Sequence, residues 1–129
     1  MNTAVELHDS EIRSVRRDGD DTILELIVCV HSSGGVAGLD PGETWEQEAE
    51  LRIRHAQVEY FPPDGRLSIL SGSVKAASDT FDDVLPMPFD RAGSVVVQLS
   101  GPEGRFSATG RALLLVLKGF PRNVEPFPS

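Results

Sequence analysis

A chain of 129 residues is long enough for one domain with a self-sufficient core, so neither disulfides nor a metal is required as a staple. Twelve basic against twenty acidic residues leave a formal charge of −8, which repels a phosphate backbone, disfavours nucleic acid as a ligand and suits a basic protein partner. Cys29 is the only cysteine, which excludes an intramolecular disulfide and fits a reducing setting. No stretch approaches the ~20 apolar residues of a membrane-spanning helix, and residues 1–6 lack a basic and apolar leader, so the expectation is a cytoplasmic protein with no membrane partner.

From Leu7 to Lys118, short runs of Ile, Val and Leu return between clusters of Gly, Asp, Pro and Ser, which predicts an all-β fold. Residues 11–17 and 22–30 flank Asp18-Gly19-Asp20-Asp21 and read as a hairpin. A Gly-Asp pair at the central positions suits a type II′ turn. The register then pairs residues whose numbers sum to 39, placing Ile12 opposite Ile27, Val15 opposite Leu24 and His8 opposite His31. A sum of 37 would set Ile12 against Glu25, a poorer match. The second strand is apolar on both faces apart from Glu25, which predicts a central strand covered on both sides.

Residues 32–44 are rich in glycine and form a loop of an unusual length, either functional, connecting or disordered. No Lys-Ser or Lys-Thr follows the glycines, so the loop is not a phosphate cradle. Residues 45–55 satisfy two patterns. Alternation puts Trp45, Ala49, Leu51 and Ile53 on one face, with Glu46, Glu48, Glu50, Arg52 and Arg54 on the other. Helical propensity, a Thr44/Gln47 capping box and a stripe of Trp45, Ala49, Ile53, Ala56 and Tyr60 favour a helix. Leu51 falls off that stripe, so the strand is preferred. Beyond His55 the apolar phase flips to Ala56, Val58 and Tyr60, the signature of a bulge or sheet corner. The glutamate row reads as a solvated face rather than a cation site.

A turn over Phe61-Pro62-Pro63-Asp64-Gly65 leads to short strands within 66–70 and 72–77. Prolines in 78–90 forbid a central strand there, leaving Phe81, Leu85, Met87 and Phe89 to cap one end of the core. Two longer strands, 94–99 and 105–118, flank the Gly101-Pro102-Glu103-Gly104 turn. The extended tail, 119–129, carries Phe120, Val124 and Phe127 to bury against its own fold or a partner. The expected architecture is a single-domain antiparallel β-sandwich or β-barrel of about seven to nine strands, since both alternate inward apolar and outward polar positions.

Several stretches resemble a group of small, uncharacterised bacterial proteins: the opening Leu7-His8-Asp9-Ser10-Glu11-Ile12, Val30-His31-Ser32-Ser33-Gly34-Gly35, Asp40-Pro41-Gly42-Glu43-Thr44-Trp45, Leu85-Pro86-Met87-Pro88 and the closing 119–125. The resemblance spans most of the chain and implies no activity, cofactor or site residue.

The chemistry-bearing side chains are few. His8, Asp9 and Ser10 have the residue types of a hydrolase triad, but strand neighbours alternate faces and Asp9 would point away from the other two. His8 and His31, as cross-strand neighbours, could share a zinc ion with Asp40, Glu6 or Glu43 as third ligand. Glu25 is an edge-facing carboxylate, the ion-pair partner of Arg13 or Arg16, or a buried acid capable of proton chemistry. Trp45, Phe120 and Phe127, with Glu25, are the candidate contacts to a ligand or partner. Cys29, within an apolar run, reads as a small hydrophobe. No nucleophile motif or cofactor fingerprint is present, so the expectation is a non-catalytic binding or protein-interaction module without a cofactor. The alternative is small-molecule binding or a metal-dependent activity in a barrel pocket or at the His8/His31 pair. Oligomeric state is open, with an edge-strand dimer as one outcome.

Overall fold

A computed structural model describes residues 1–128, and among these every regular element is a strand. The ten strands are β1 (Asn2–Asp18), β2 (Asp21–Ser33), β3 (Gly42–Arg54), β4 (Gln57–Tyr60), β5 (Leu67–Ser68), β6 (Ser71–Ala76), β7 (Asp79–Asp82), β8 (Val84–Met87), β9 (Phe89–Gly101) and β10 (Gly104–Phe127). They form one antiparallel sheet in the order β5-β1-β2-β3-β10-β9-β6-β7, with β8 paired to β1 and β4 to β10, curled into a half-barrel. The sequence pattern left sandwich and barrel open; a single curled sheet takes the barrel side. No helix among the described residues is long and apolar enough to cross a membrane.

The β1–β2 hairpin turns on Gly19-Asp20, with Asp18 opposite Asp21 and Gly19 at a φ of 62°, the left-handed first position that a type II′ turn assigns to glycine. The expected register holds from the turn to Ser14↔Glu25, with Val15 opposite Leu24. It then slips: one extra residue on β1 puts Ile12 opposite Leu26. A larger irregularity between Glu6 and Glu11 puts Glu6 opposite Cys29 and Ala4 opposite His31, so His8 and His31 are not the cross-strand pair that the sum of 39 predicts. The physical reason lies in residues 7–10. Leu7 turns into the core, where it is fully buried, and its N–H bonds to the Asp83 carbonyl of the β7–β8 corner. Ser10 Oγ donates to the Glu6 carbonyl at 2.7 Å and accepts from the Cys29 N–H at 3.1 Å, replacing ladder bonds that the extra residues displace.

On β2, Leu24, Leu26, Val28 and Val30 face the core, beside Ala49, Leu51 and Ile53 of β3 and Leu113 and Leu115 of β10. Burying each leucine or isoleucine contributes about 1.5–3 kcal/mol. The alternate residues Glu25, Ile27 and Cys29 are only half-buried. The second strand is therefore central in the sheet but covered fully on one side, not two. β3 is a strand throughout, hydrogen-bonded to β2 on one side and β10 on the other, and this two-sided pairing overrides the helical propensity of its glutamates. Its apolar phase does flip at His55, whose φ of 49° makes the corner from β3 to β4 while Ala56 N bonds to the Asp20 carbonyl.

The proline-containing stretch forms a strand, but at an edge: β8 pairs only with β1, Pro86 lying opposite Ala4. Leu85 and Phe89 enter the core, with Phe81 and Met87 packed against it. Asp83, at a φ of 62°, joins β7 to β8 and exchanges hydrogen bonds with Gly72, tying β6 towards β1 and curling the sheet. The tail continues β10 along β3, with Arg122 opposite Glu46 and Phe127 opposite Gly42.

Candidate metal centre

Period-two alternation puts Cys29 and His31 on the outer face of β2, two residues apart. Glu6 of β1 lies opposite Cys29, and Thr44 of β3 lies opposite His31. Cys29 Sγ is 3.7 Å from His31 Nε2, 3.9 Å from Glu6 Oε2 and 3.5 Å from Thr44 Oγ1. His31 Nε2 contacts Glu6 Oε2 directly, and His8 Nε2 contacts the other oxygen, Oε1. His8 Nε2 is also 3.8 Å from Asp9 Oδ2. Exposure rises outward through the cluster: side-chain values are 6% for His31, 18% for Glu6, 37% for His8 and 65% for Asp9.

The inner end is covered from two directions. Phe127 presents a T-shaped contact to the His31 ring at 4.7 Å, which the pairing of the tail with Gly42 makes possible. On the other side the glycine-rich segment passes close, with Gly38 at a φ of 87° beside the imidazole. That segment is a compact turn: Asp40 Oδ2 accepts from Val36 N at 2.6 Å, and the Val36 carbonyl accepts from the N–H groups of Leu39 and Asp40.

A cysteine, a histidine and a carboxylate in contact invite comparison with a nucleophilic relay. In such a relay the thiol sits on one ring nitrogen and the carboxylate on the other. Here Cys29 and Glu6 both meet Nε2, while the buried Nδ1 atoms of His31 and His8 have no hydrogen-bond partner among the described residues. Burial pushes the Cys29 thiol up from its ordinary value; the Thr44 hydrogen bond opposes this, and the charges of Glu6, Asp9 and Glu46 add to it. A thiol held protonated is a poor nucleophile. The arrangement is convergent rather than serial. Sulfur, nitrogen and oxygen donors around one point suit a borderline cation. At zinc bond lengths of ~2.3 Å to sulfur and ~2.0 Å to nitrogen, a tetrahedral angle separates the two donors by about 3.5 Å. The Cys29–His31 separation of 3.7 Å lies close to that edge. An ion would replace the direct Glu6–His31 contact.

Of the candidate residues, His8 and His31 are brought together, through Glu6 rather than face to face. Of the three carboxylates weighed as a third ligand, Glu6 is the one that meets both histidines; Asp40 is used within its loop, and Glu43 lies opposite Ser32 and Pro126. Glu25 is an ion-pair partner: Arg16 Nη2 lies 3.3 Å and Lys118 Nζ 3.9 Å away, and Glu50 shares both cations. Trp45 is half-buried, its indole N–H donating to Gln47 Oε1 at 2.9 Å. Phe127 covers His31, whereas Phe120 is 87% exposed. Sequence reasoning missed Cys29 and Asp9 as site residues. The Cys29-Val30-His31 spacing was a usable signal, because residues two apart on a strand share a face. Comparison of the chain with protein-family models, with curated proteins and with solved structures finds no match.

Proposed function

We propose that the protein is a binding module for a borderline divalent cation, zinc foremost, held on the outer face of the half-barrel by Glu6, Cys29 and His31. The observation that carries this reading is the convergence of three unlike donors, a carboxylate oxygen, a sulfur and an imidazole nitrogen, on one point. The surroundings support it. The chain carries a charge of −8, and Phe127 excludes water from His31, so a cation is attracted and its interactions are weakly screened. A lone thiol that must stay reduced to bind the ion suits a reducing compartment such as the cytoplasm. The test is native mass spectrometry of protein purified without a metal-affinity step, before and after exposure to zinc and removal of excess. A retained zinc mass that disappears in His31→Ala, with circular dichroism unchanged, is the expected result. A bare chain mass after zinc exposure overturns the reading.

A second reading, a protein-interaction module for a basic partner, draws on the acidic surface and on Phe120, Val116 and Val124 exposed along β10. A complex retained in the same spectra and dispersed by Phe120→Ser would support it; a monomer mass counts against it.

A further inference from the structure

We infer that the centre is built for two cations bridged by the Glu6 carboxylate: a buried one on Cys29 and His31, and an exchangeable one on His8 and Asp9. This rests on the metal-binding reading above and specifies its stoichiometry. The donor atoms fall into two trios, Glu6-Cys29-His31 and Glu6-His8-Asp9, each with its atoms within 4.8 Å of one another, and Glu6 alone belongs to both. The trios use different oxygens of that carboxylate. Oε2 meets His31 and Cys29, while Oε1 meets His8. A single ion on the inner donors would find His8 on the far oxygen, outside its trio. A carboxylate with one oxygen on each ion is the bridging mode, which accompanies metal separations of about 3.5–4 Å.

The backbone explains how the second trio arises. In an unbroken strand Asp9 would point to the face opposite His8, into the core. Leu7 still faces inward in step with Val5, and the irregularity falls after it, leaving Asp9 exposed beside His8 while Ser10 turns inward and anchors the far end to Cys29 N. The same feature that breaks the hairpin register therefore assembles the outer donors.

The two positions differ in chemistry. The inner one has a sulfur donor, a nearly buried imidazole and an aromatic cover, which favours zinc and slow exchange. The outer one offers nitrogen and oxygen donors at 37% and 65% exposure, so its ion keeps water ligands and exchanges readily with solution. A cleft of about 190 Å³ is lined by one donor from each position, Asp9 and Cys29, together with Thr44, Asn123 and Glu125, leaving room for a small oxygen ligand.

Cobalt is the probe, because thiolate-to-cobalt charge transfer reports the inner position separately from the total. The full chain is titrated with Co²⁺, with bound metal counted by native mass spectrometry and elemental analysis. The expected result is two ions per chain in the wild type. His8→Ala and Asp9→Asn should each fall to one ion with the charge-transfer band retained; Asp9→Asn alters an exposed side chain and serves if His8→Ala fails to fold. Cys29→Ser should lose the band. Saturation of the wild type at one ion, or loss of the band in His8→Ala together with Asp9→Asn, overturns the two-ion centre while leaving metal binding intact. No bound ion in the wild type overturns the metal-binding reading as well.

Discussion

Ser10→Ala tests whether one hydroxyl holds the irregular segment of β1 in place. Ser10 is 4% exposed, and its Oγ serves two backbone groups, donating to the Glu6 carbonyl at 2.7 Å and accepting from the Cys29 N–H at 3.1 Å. Alanine fills nearly the same space, so the cavity contribution is small and the cost is electrostatic. It strands a part-buried N–H and removes one acceptor interaction. An unsatisfied buried donor costs about 1–3 kcal/mol and each lost bond about 0.5–1.5 kcal/mol, so about 2 kcal/mol is expected in all. With a urea m-value of roughly 2 kcal/mol/M for a domain of this size, the midpoint should fall by about 1 M. The assay is equilibrium urea denaturation followed by fluorescence of Trp45, the only tryptophan, and by circular dichroism, with coincident transitions confirming two-state behaviour. Because residues 7–10 also set the position of His8 and Asp9 relative to Glu6, the variant should lose outer-ion binding at zinc concentrations that still fill the inner position. A midpoint within about 0.2 M of wild type at unchanged m would refute the assignment of Ser10 as the anchor.

Two further predictions concern titratable groups. The Arg52 guanidinium bonds to Asp21 at 2.8 Å and holds its carboxyl below the usual carboxylate range; burial opposes this and the His55 N–H adds to it. A lowered folded-state value means that the unfolded chain takes up the proton first as pH falls. The contribution is therefore complete above the ordinary aspartate range near ~3.9 and is lost as pH drops through the lowered value. Asp21→Asn should flatten the acid limb of the urea midpoint measured against pH below about 5, and an unchanged limb would remove Asp21 from the account. The Cys29 thiol, raised chiefly by burial, should react with iodoacetamide more slowly than a free cysteine thiol at neutral pH, accelerating only above the ordinary thiol range near ~8.5. Alkylation at the free-thiol rate would contradict the half-buried, electronegative setting around Cys29.

Period-two patterning was readable wherever backbone pairing is uninterrupted. The β3 alternation, the His55 phase flip, the Gly19-Asp20 turn and the Ile, Leu and Val core of β2 and β10 all follow from side chains alternating across a pleat. What the pattern cannot encode is the number of residues that a strand loses to a bulge, because the bulged segment 7–10 carries the same mixture of apolar and polar side chains as a regular strand. Counting back from the turn therefore matched Val15 to Leu24 correctly and His8 to His31 incorrectly. The prolines of β8 were legible as excluding a central strand, yet not as an edge pairing with Ala4, since that contact, like the Leu7–Asp83 bond beside it, joins opposite ends of the sequence.

The slip in register is also what gives the centre its composition. Had the sum of 39 held along the whole hairpin, two imidazoles would stand opposite each other and Glu6 would pair with Ser33, near the end of β2. The displaced register instead sets Glu6 opposite Cys29, one pleat from His31, and folds His8 back onto the same carboxylate. A carboxylate placed between two histidines and a thiol can bridge, where two facing histidines could only chelate. The functional reading thus depends on backbone irregularity more than on residue types, and the residues that most repay substitution are those that maintain the irregularity, Ser10 and Leu7, as much as the donors themselves.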